Sequence, residues 1–171
     1  MLALTHRNWK LFRRDGGTVF FSLLGPIIIV LLYVFFLKGT VSEELNVVEG
    51  TADYLVDSWI MAGIIASATV TTCLAGYGTM IRDREDGVAK DFDSSPVAKS
   101  SVIGGYLLNS MVIGVVMSLI SFVIAELYIV VNGGSLVSPV QGVQILGIIV
   151  VSVFSAAGLL GLLSSFIATQ S

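Results

Sequence analysis

The chain has 171 residues, of which 55% are hydrophobic and 12% are charged, and its mean hydropathy is +0.93. Soluble domains carry about 25% charged residues, so this composition excludes an ordinary soluble domain and indicates a membrane protein. The net charge of −3 gives no electrostatic basis for a nucleic-acid partner, and we expect none.

Residues 1–17 mix apolar and basic side chains before the first apolar run. Leu2, Leu4, Trp9, Leu11 and Phe12 alternate with Arg7, Lys10, Arg13 and Arg14. Such a segment can lie along a membrane surface, with its apolar side chains in lipid and its basic ones among anionic headgroups. We therefore predict an interfacial amphipathic helix that ends near Asp15-Gly16-Gly17.

Four apolar runs follow, at residues 19–37, 59–81, 102–131 and 143–168. Each is as long as the roughly 20 residues that a spanning helix needs. Membrane-spanning strands are shorter and alternate in polarity, and backbone groups in lipid must be satisfied within the segment, so the runs predict helices. The expected fold is an all-α polytopic membrane protein with four spans in a single transmembrane domain over residues 1–171.

Two kinds of residue within these spans suggest how the helices bend and pack. Pro26 removes a helical hydrogen bond, so it predicts a kink that could shape a transport pathway, although an ordinary span proline is an equal alternative. Small residues recur every four positions and predict close helix contacts. They are Gly63, Ser67 and Thr71 in the second span and Ala157, Gly161 and Ser165 in the fourth.

Basic residues are distributed unevenly among the connections. Eight of the nine Lys and Arg residues precede the first span or lie between the second and third, whereas only Lys38 lies in the first loop. The positive-inside rule then places the N-terminus and residues 82–99 in the cytoplasm. The first loop and the turn before the fourth span are expected to face outward.

Few side chains in the sequence could take part in catalysis, proton transfer or metal binding. Glu126 is the one ionisable residue inside a predicted span, which suggests a proton or substrate site, although its place near the outer interface also fits a structural role. His6 and Cys73 each stand alone, so we expect neither a metal site nor an internal disulfide. Because the chain has no GxxxxGK[ST] and no GxSxG pattern, we expect it to be no enzyme and to bind no cofactor itself.

The most polar stretch, RDREDGVAKDFDSSPVAK, covers residues 82–99 between the second and third spans. Val88 and Phe92 are four apart and would share one face of a short helix over residues 83–93. Ser95 can cap a helix and proline suits its first position, so we predict that the third helix starts at Pro96. The segment is therefore interpreted as a shaped surface for a partner, with a simple solvated hairpin as the alternative.

Four features in this order resemble the permeases of ABC-2 type transporters, the membrane subunits of ATP-driven exporters of drugs, bacteriocins and polysaccharides. They are the basic amphipathic segment, a first span with an internal proline, the second span beginning at YLVDSWIMAGIIAS, and the loop RDREDGVAKDFDSSPVAKSSVIGGYL. The resemblance covers essentially the whole chain, though its motifs are loose. It implies a multi-pass protein in the cytoplasmic membrane of a bacterium or archaeon.

The resemblance also assigns partners and residues. It implies that the loop carries a coupling helix for a separate ABC ATPase subunit that binds the ATP, and that a second permease copy or homologue completes the transporter. The coupling positions it implies are Arg84, Glu85, Asp86, Gly87, Lys90, Asp91, Phe92, Ser95 and Pro96. Arg7, Trp9, Lys10 and Arg13 of the interfacial helix would lie near the same ATPase. The possible pathway residues, Pro26 and Glu126, follow from the proline and the carboxylate within the spans and not from the resemblance.

The family normally has six spans, so we expect this sequence to be part of a six-helix domain, with a shortened member of the family as the alternative. Two other functions fit the residues as well. A small four-span exporter driven by protons would use Glu126 as the carrier, and a non-transporting assembly or immunity protein would need only the spans.

Overall fold

The computed structural model describes residues 1–37 and 51–168, and within these ranges every regular element is helical. The elements are α1 (Leu2–Arg14), α2 (Gly16–Leu32), α3 (Thr51–Glu85), α4 (Val88–Ser94), α5 (Lys99–Val131) and α6 (Pro139–Ala168). A π-helical segment, Tyr33–Leu37, prolongs α2. Four helical stretches are long and apolar enough to cross a membrane, in α2, α3, α5 and α6. The predicted all-α polytopic fold is confirmed.

Helix α3 is packed closely by α5 and α6 because glycines remove the side chains that would separate the backbones. A Cβ atom on Gly76 would lie 2.6 Å from the Cα of Ser110 in α5. A Cβ on Gly114 would lie 2.6 Å from the Cys73 sulfur and 3.0 Å from Val153. Lipid gives helices little hydrophobic drive to associate, so close packing of this kind supplies the attraction.

Hydrogen bonds between helices add to this packing. The Ser110 hydroxyl donates to the Cys73 carbonyl at 2.7 Å, and the Tyr77 hydroxyl donates to the Ala157 carbonyl at 2.8 Å. Cys73 is fully buried between these helices, where it acts as a small packing residue. These bonds join α3 to α5 and to α6 at the same depth as the close glycine contacts.

The two sets of small residues spaced four apart, which we call ladders, differ in whether they contact another helix of the chain. In α6, Ala157 is buried and a Cβ on Gly161 would lie 2.7 Å from the Tyr77 hydroxyl oxygen, so these two residues form a helix contact. The side chain of Ser165, the third member, lies outside the described part of the chain. The α3 ladder of Gly63, Ser67 and Thr71 is exposed, so it makes no helix contact within the described chain and its predicted contact stays a prediction. The buried side of α3 instead carries Ile64, Ala68 and Thr72, which lie about 100° further around the helix.

Asp57 corrects the predicted boundary of the second span. The sequence assigned it to the acidic first loop, of which residues 38–50 lie outside the described residues. In the structure it lies inside α3, it is 4% exposed, and it accepts a 2.7 Å hydrogen bond from the Tyr33 hydroxyl. The candidate span Leu55–Glu85 includes Asp57, so Glu126 is not the one ionisable residue in the candidate spans. The bond from Tyr33 allows the Asp57 carboxyl group to be buried.

The start of α5 also differs from the prediction, because it begins at Lys99 and not at Pro96. Ser95 is extended, with ψ at 153°, as the residue before a proline prefers. Its hydroxyl donates to the Phe92 carbonyl at 2.8 Å, so it caps the end of α4 and not the start of α5. Pro26 is buried inside α2, whose helix continues past it to Leu32.

Candidate functional site

Helix α1 packs on the bundle along one face. Leu4, Asn8 and Phe12 recur every four residues, and Asn8 and Phe12 are buried. A Cβ on Gly105 of α5 would lie 2.8 Å from Leu4, so the glycine makes room for α1. Arg13 and Arg14 occupy the last turn of α1, where positive charge suits the helix dipole. The predicted amphipathic helix therefore rests partly on protein, while its basic residues Lys10, Arg13 and Arg14 are exposed.

Arg7 joins α1 to the end of α3 through Asp83. Its guanidinium donates to both carboxylate oxygens of Asp83, at 2.7 and 2.9 Å, and the Tyr106 hydroxyl of α5 donates to the same carboxylate at 2.6 Å. Asp83 is 4% exposed. The hydrogen bond to Asp83 raises the pKa of Arg7 above its usual value. One buried carboxylate thus connects three helices, and paired arginine bonds of this kind are among the strongest side-chain contacts.

A second ion pair, between Arg82 and Asp15, connects α3 to the turn between α1 and α2. Asp15 caps α2 by accepting from the Thr18 backbone N–H at 3.0 Å and from the Thr18 hydroxyl at 2.6 Å. These bonds, and the one from Arg82, hold the pKa of Asp15 well below its usual range. Because the pKa of Asp15 is lower in the folded chain than its ordinary value near 4, the ionised carboxylate stabilises the fold when the pH is above about 4. This contribution is lost as the pH falls through the lower pKa of the folded chain.

We call the end of the bundle where α1, α4 and these two ion pairs meet the basic end. Here α3 ends at Glu85 and the chain turns through Gly87, whose φ of +78° is a left-handed conformation that favours glycine. Helix α4 follows directly. Phe92 is half-buried and lines a cavity of about 220 Å³ with Met80 and Tyr106, so α4 lies against the ends of α3 and α5.

The predicted coupling residues separate into an exposed group and a half-buried group at this end. The exposed ones are Arg84, Glu85, Asp86, Lys90, Asp91 and Pro96, and the half-buried ones are Gly87, Phe92 and Ser95. Within the interfacial set, Lys10 and Arg13 are exposed. Trp9 is half-buried and stacks on Phe12 with ring centroids 6.3 Å apart. Arg7 differs from the other cations in this set because its guanidinium is bound to Asp83.

The two predicted pathway residues line separate cavities. Pro26 lines an apolar cavity of about 240 Å³ between α2, α3 and α5. Glu126 lines a cavity of about 370 Å³ between α3, α5 and α6, and it accepts a 3.3 Å bond from the Val137 backbone N–H. No group of three or more His, Cys, Asp or Glu residues that could bind a metal ion occurs in the described ranges.

The comparison with protein families decides what kind of membrane protein this is. The family model described as ABC-2 type transporter matches residues 1–171, the whole sequence. The chain belongs to the ABC-2 type transporter family. It is thus a permease component of an ABC transporter, from a family of transmembrane subunits that generally carry no catalytic site and that associate with an ATPase subunit. Neither the curated proteins nor the solved structures include a match.

Sequence reasoning missed the centre of this permease's basic end. Asp83 was predicted as one of many charges on a polar helix, and Tyr106 was not singled out. Arg7 and Asp83 are 76 positions apart and Asp83 and Tyr106 are 23 apart, so no local sequence pattern reveals these contacts. The weak signal was the spacing of Leu4, Asn8 and Phe12, which marks a packing face beside Arg7.

Proposed function

We propose that this permease moves its substrate out of the cell and that α4 is the element through which an ATPase subunit drives it. The observation that carries the proposal is the arrangement of α4, whose Phe92 faces the bundle while Lys90 and Asp91 are exposed. A short helix of this kind offers a charged surface to a partner and transmits force through its apolar side. The family association with an ATPase supplies the class of partner.

The distribution of basic residues supports an orientation with the basic end in the cytoplasm. Eight of the nine Lys and Arg residues belong to residues 1–14 and 82–99, which meet at this end. Positive charge near short connections marks the cytoplasmic side of a membrane protein. In that orientation α4 faces the compartment that contains ATP.

Movement of α4 would reach the spans by a short route. Only Asp86 and Gly87 separate α4 from α3, and Arg82 and Asp83 in the last turn of α3 pair with Asp15 and Arg7. A displacement of α4 therefore acts on α3 directly, and on α1 and α2 through the two ion pairs. Coupling requires that the ATPase contact be stronger in one of the two permease states, since equal contact in both shifts neither.

The exposed ladder of α3 supports a second permease copy as the other partner. Gly63, Ser67 and Thr71 form a strip of small residues that the described chain leaves uncovered. Such strips allow close approach of another helix in lipid. Two copies would then place their α3 helices together, with one ATPase contact surface on each.

Charge inversion on the exposed side of α4 tests the ATPase contact. We expect Lys90→Glu combined with Asp91→Lys to reduce substrate-stimulated ATP hydrolysis of the reconstituted complex at least tenfold, because both charges face away from the bundle. ATP hydrolysis and co-purification of the ATPase subunit are measured in parallel. Ser135→Glu adds a charge at the opposite end of the bundle and serves as the matched control.

Unchanged stimulation in the α4 double variant would contradict the proposed coupling. The two alternatives predict other outcomes. A proton-driven exporter would transport without ATP and would lose transport in Glu126→Gln. A non-transporting protein would move no substrate in any variant, whereas the family match favours a transporter component.

A further inference from the structure

The Glu126 cavity, defined by its lining between α3, α5 and α6, has features of a ligand site that the coupling function does not use. Its volume is about 370 Å³, within the usual range of small-molecule pockets. It extends along α3 from Ser58 to Thr69 and along α6 from Gln141 to Ser152. Eleven helical residues correspond to about 16 Å, so the cavity is elongated along the helices.

Polar groups gather at one end of the cavity. Ser58, Glu126 and Gln141 line the end close to the turn between α5 and α6, and Gln144 follows one turn deeper. The remaining length is lined mainly by apolar side chains, with the hydroxyl residues Thr69 and Ser152 at the far end. The cavity is therefore amphipathic, with hydrogen-bonding groups at the end near the turn and an apolar wall below them.

The charge of the lining is negative. Glu126 is the one ionisable residue among the described residues that line the cavity, and no Lys, Arg or His occurs among them. From the described residues its carboxylate accepts one long hydrogen bond, from the Val137 N–H to Oε2, which leaves acceptor capacity on the carboxylate. An anionic group beside an apolar wall attracts a cation and penalises an anion, because charges are poorly screened away from water.

We propose that this cavity binds a single-chain amphiphile with a cationic ammonium head, with the head at Glu126 and the chain along α3 and α6. The ammonium group would donate to Glu126 and to the side-chain Oε1 of Gln141, which also accepts from the Ser138 N–H at 3.1 Å. A single chain suits the elongated cavity better than the two chains of a bilayer lipid. The proposal does not depend on coupling through α4.

Photolabelling of the full-length protein in lipid nanodiscs tests the proposal. The probe is dodecylammonium with a photoreactive group in its alkyl chain, and labelled peptides are identified by mass spectrometry. We expect labelling in the Ile145–Ser152 stretch of α6 and in α3 near Ile65. Unlabelled dodecylammonium should compete best, dodecyl maltoside less well and dodecyl sulfate least, since the three share a tail and differ in head charge.

Variants separate recognition from folding. Glu126→Gln keeps an oxygen for the Val137 bond but removes the charge, and we expect at least a fivefold loss of labelling by the ammonium probe. Leu127→Ala, a neighbouring residue that does not line the cavity, should label normally. Ala66→Phe should fill the cavity and reduce labelling while Glu126 stays in place, and size-exclusion profiles verify that each variant is folded.

Two results would overturn the proposal. One is equal competition by the three detergents together with normal labelling of Glu126→Gln, which would describe adsorption to an apolar surface. The other is labelling that disappears when phosphatidylethanolamine is present in the nanodiscs, which would make the cavity a site for bilayer lipid and not for a single-chain amphiphile.

Discussion

At the scale of single residues, Asp83 has the most demanding environment at the basic end. It is 4% exposed and accepts two bonds from Arg7 and one from Tyr106. Buried charges are stable only when they are paired and hydrogen-bonded. Asp83 therefore makes the position of α1 dependent on the end of α3, where the polypeptide turns toward α4.

Asp83→Asn should destabilise the folded permease. Loss of one partner from a buried ion pair costs 3–5 kcal/mol, and the 38% exposure of the Arg7 side chain reduces this to about 2 kcal/mol. We expect the melting temperature of the purified protein to fall by about 5 °C. Glu85→Gln, an exposed carboxylate in the same turn of α3, is the matched control and should change it little.

A double-mutant cycle isolates the pair from other effects. If the Arg7–Asp83 bond carries the stability, Arg7→Gln combined with Asp83→Asn should cost clearly less than the sum of the single changes. Strictly additive losses would contradict the interpretation and assign the effect of Asp83 to Tyr106 alone.

At the scale of elements, the turn at Gly87 determines where α4 lies. Its φ of +78° is a conformation that most side chains enter at a cost of about 1–2 kcal/mol. A Cβ built on Gly87 meets nothing within 4 Å, so backbone conformation and not space requires glycine here. The position of α4 therefore depends on the left-handed backbone of one residue between two helical segments.

Gly87→Val should reduce substrate-stimulated ATP hydrolysis of the complex several-fold, because valine resists the left-handed conformation and would redirect α4. Gly87→Asn should keep most of the activity, since asparagine tolerates that conformation. Gly78→Ala in α3 is the control, as it too has nothing within 4 Å of its Cβ but lacks the positive φ. Equal activity of the valine and asparagine variants would refute the role of the turn.

At the scale of the whole molecule, two faces of α3 differ in burial. The face with Ala68, Thr72 and Gly76 packs within the chain, whereas Gly63 and Ser67 are exposed. Both faces carry small residues, so composition does not distinguish them. Only the first is used for packing within the described chain.

Substitutions on the two faces should separate folding from assembly. Gly76→Ala places a Cβ 2.6 Å from the backbone of Ser110, and we expect a loss of about 1–3 kcal/mol in stability, measured as a lower melting temperature. Gly63→Leu should leave the melting temperature of the single chain within about 2 °C and reduce crosslinking between copies. A stable Gly76→Ala protein, or unchanged crosslinking in Gly63→Leu, would contradict this division.

The amino-acid sequence by itself determined the class of the molecule. Long apolar runs require helices in lipid, and the positions of basic residues predicted the orientation. The four-residue spacing of Val88 and Phe92 predicted a short helix between the second and third spans. These properties are local or additive, so they can be derived from composition and spacing. Helix ends were less predictable, as Asp57 in α3 and the start of α5 at Lys99 show, because burial by a neighbouring helix and the extended backbone before Pro96 decide them.

Only the tertiary structure decided which polar residues act together. Arg7 and Asp83 are 76 positions apart, and Asp15 and Arg82 are 67 apart. The cavity that Glu126 lines is formed by residues of three helices. The tertiary structure likewise decided which face of α3 is buried, because small residues recur every four positions on both faces. A repeat along one helix identifies a face, but the identity of its partner depends on how the other helices pack around it.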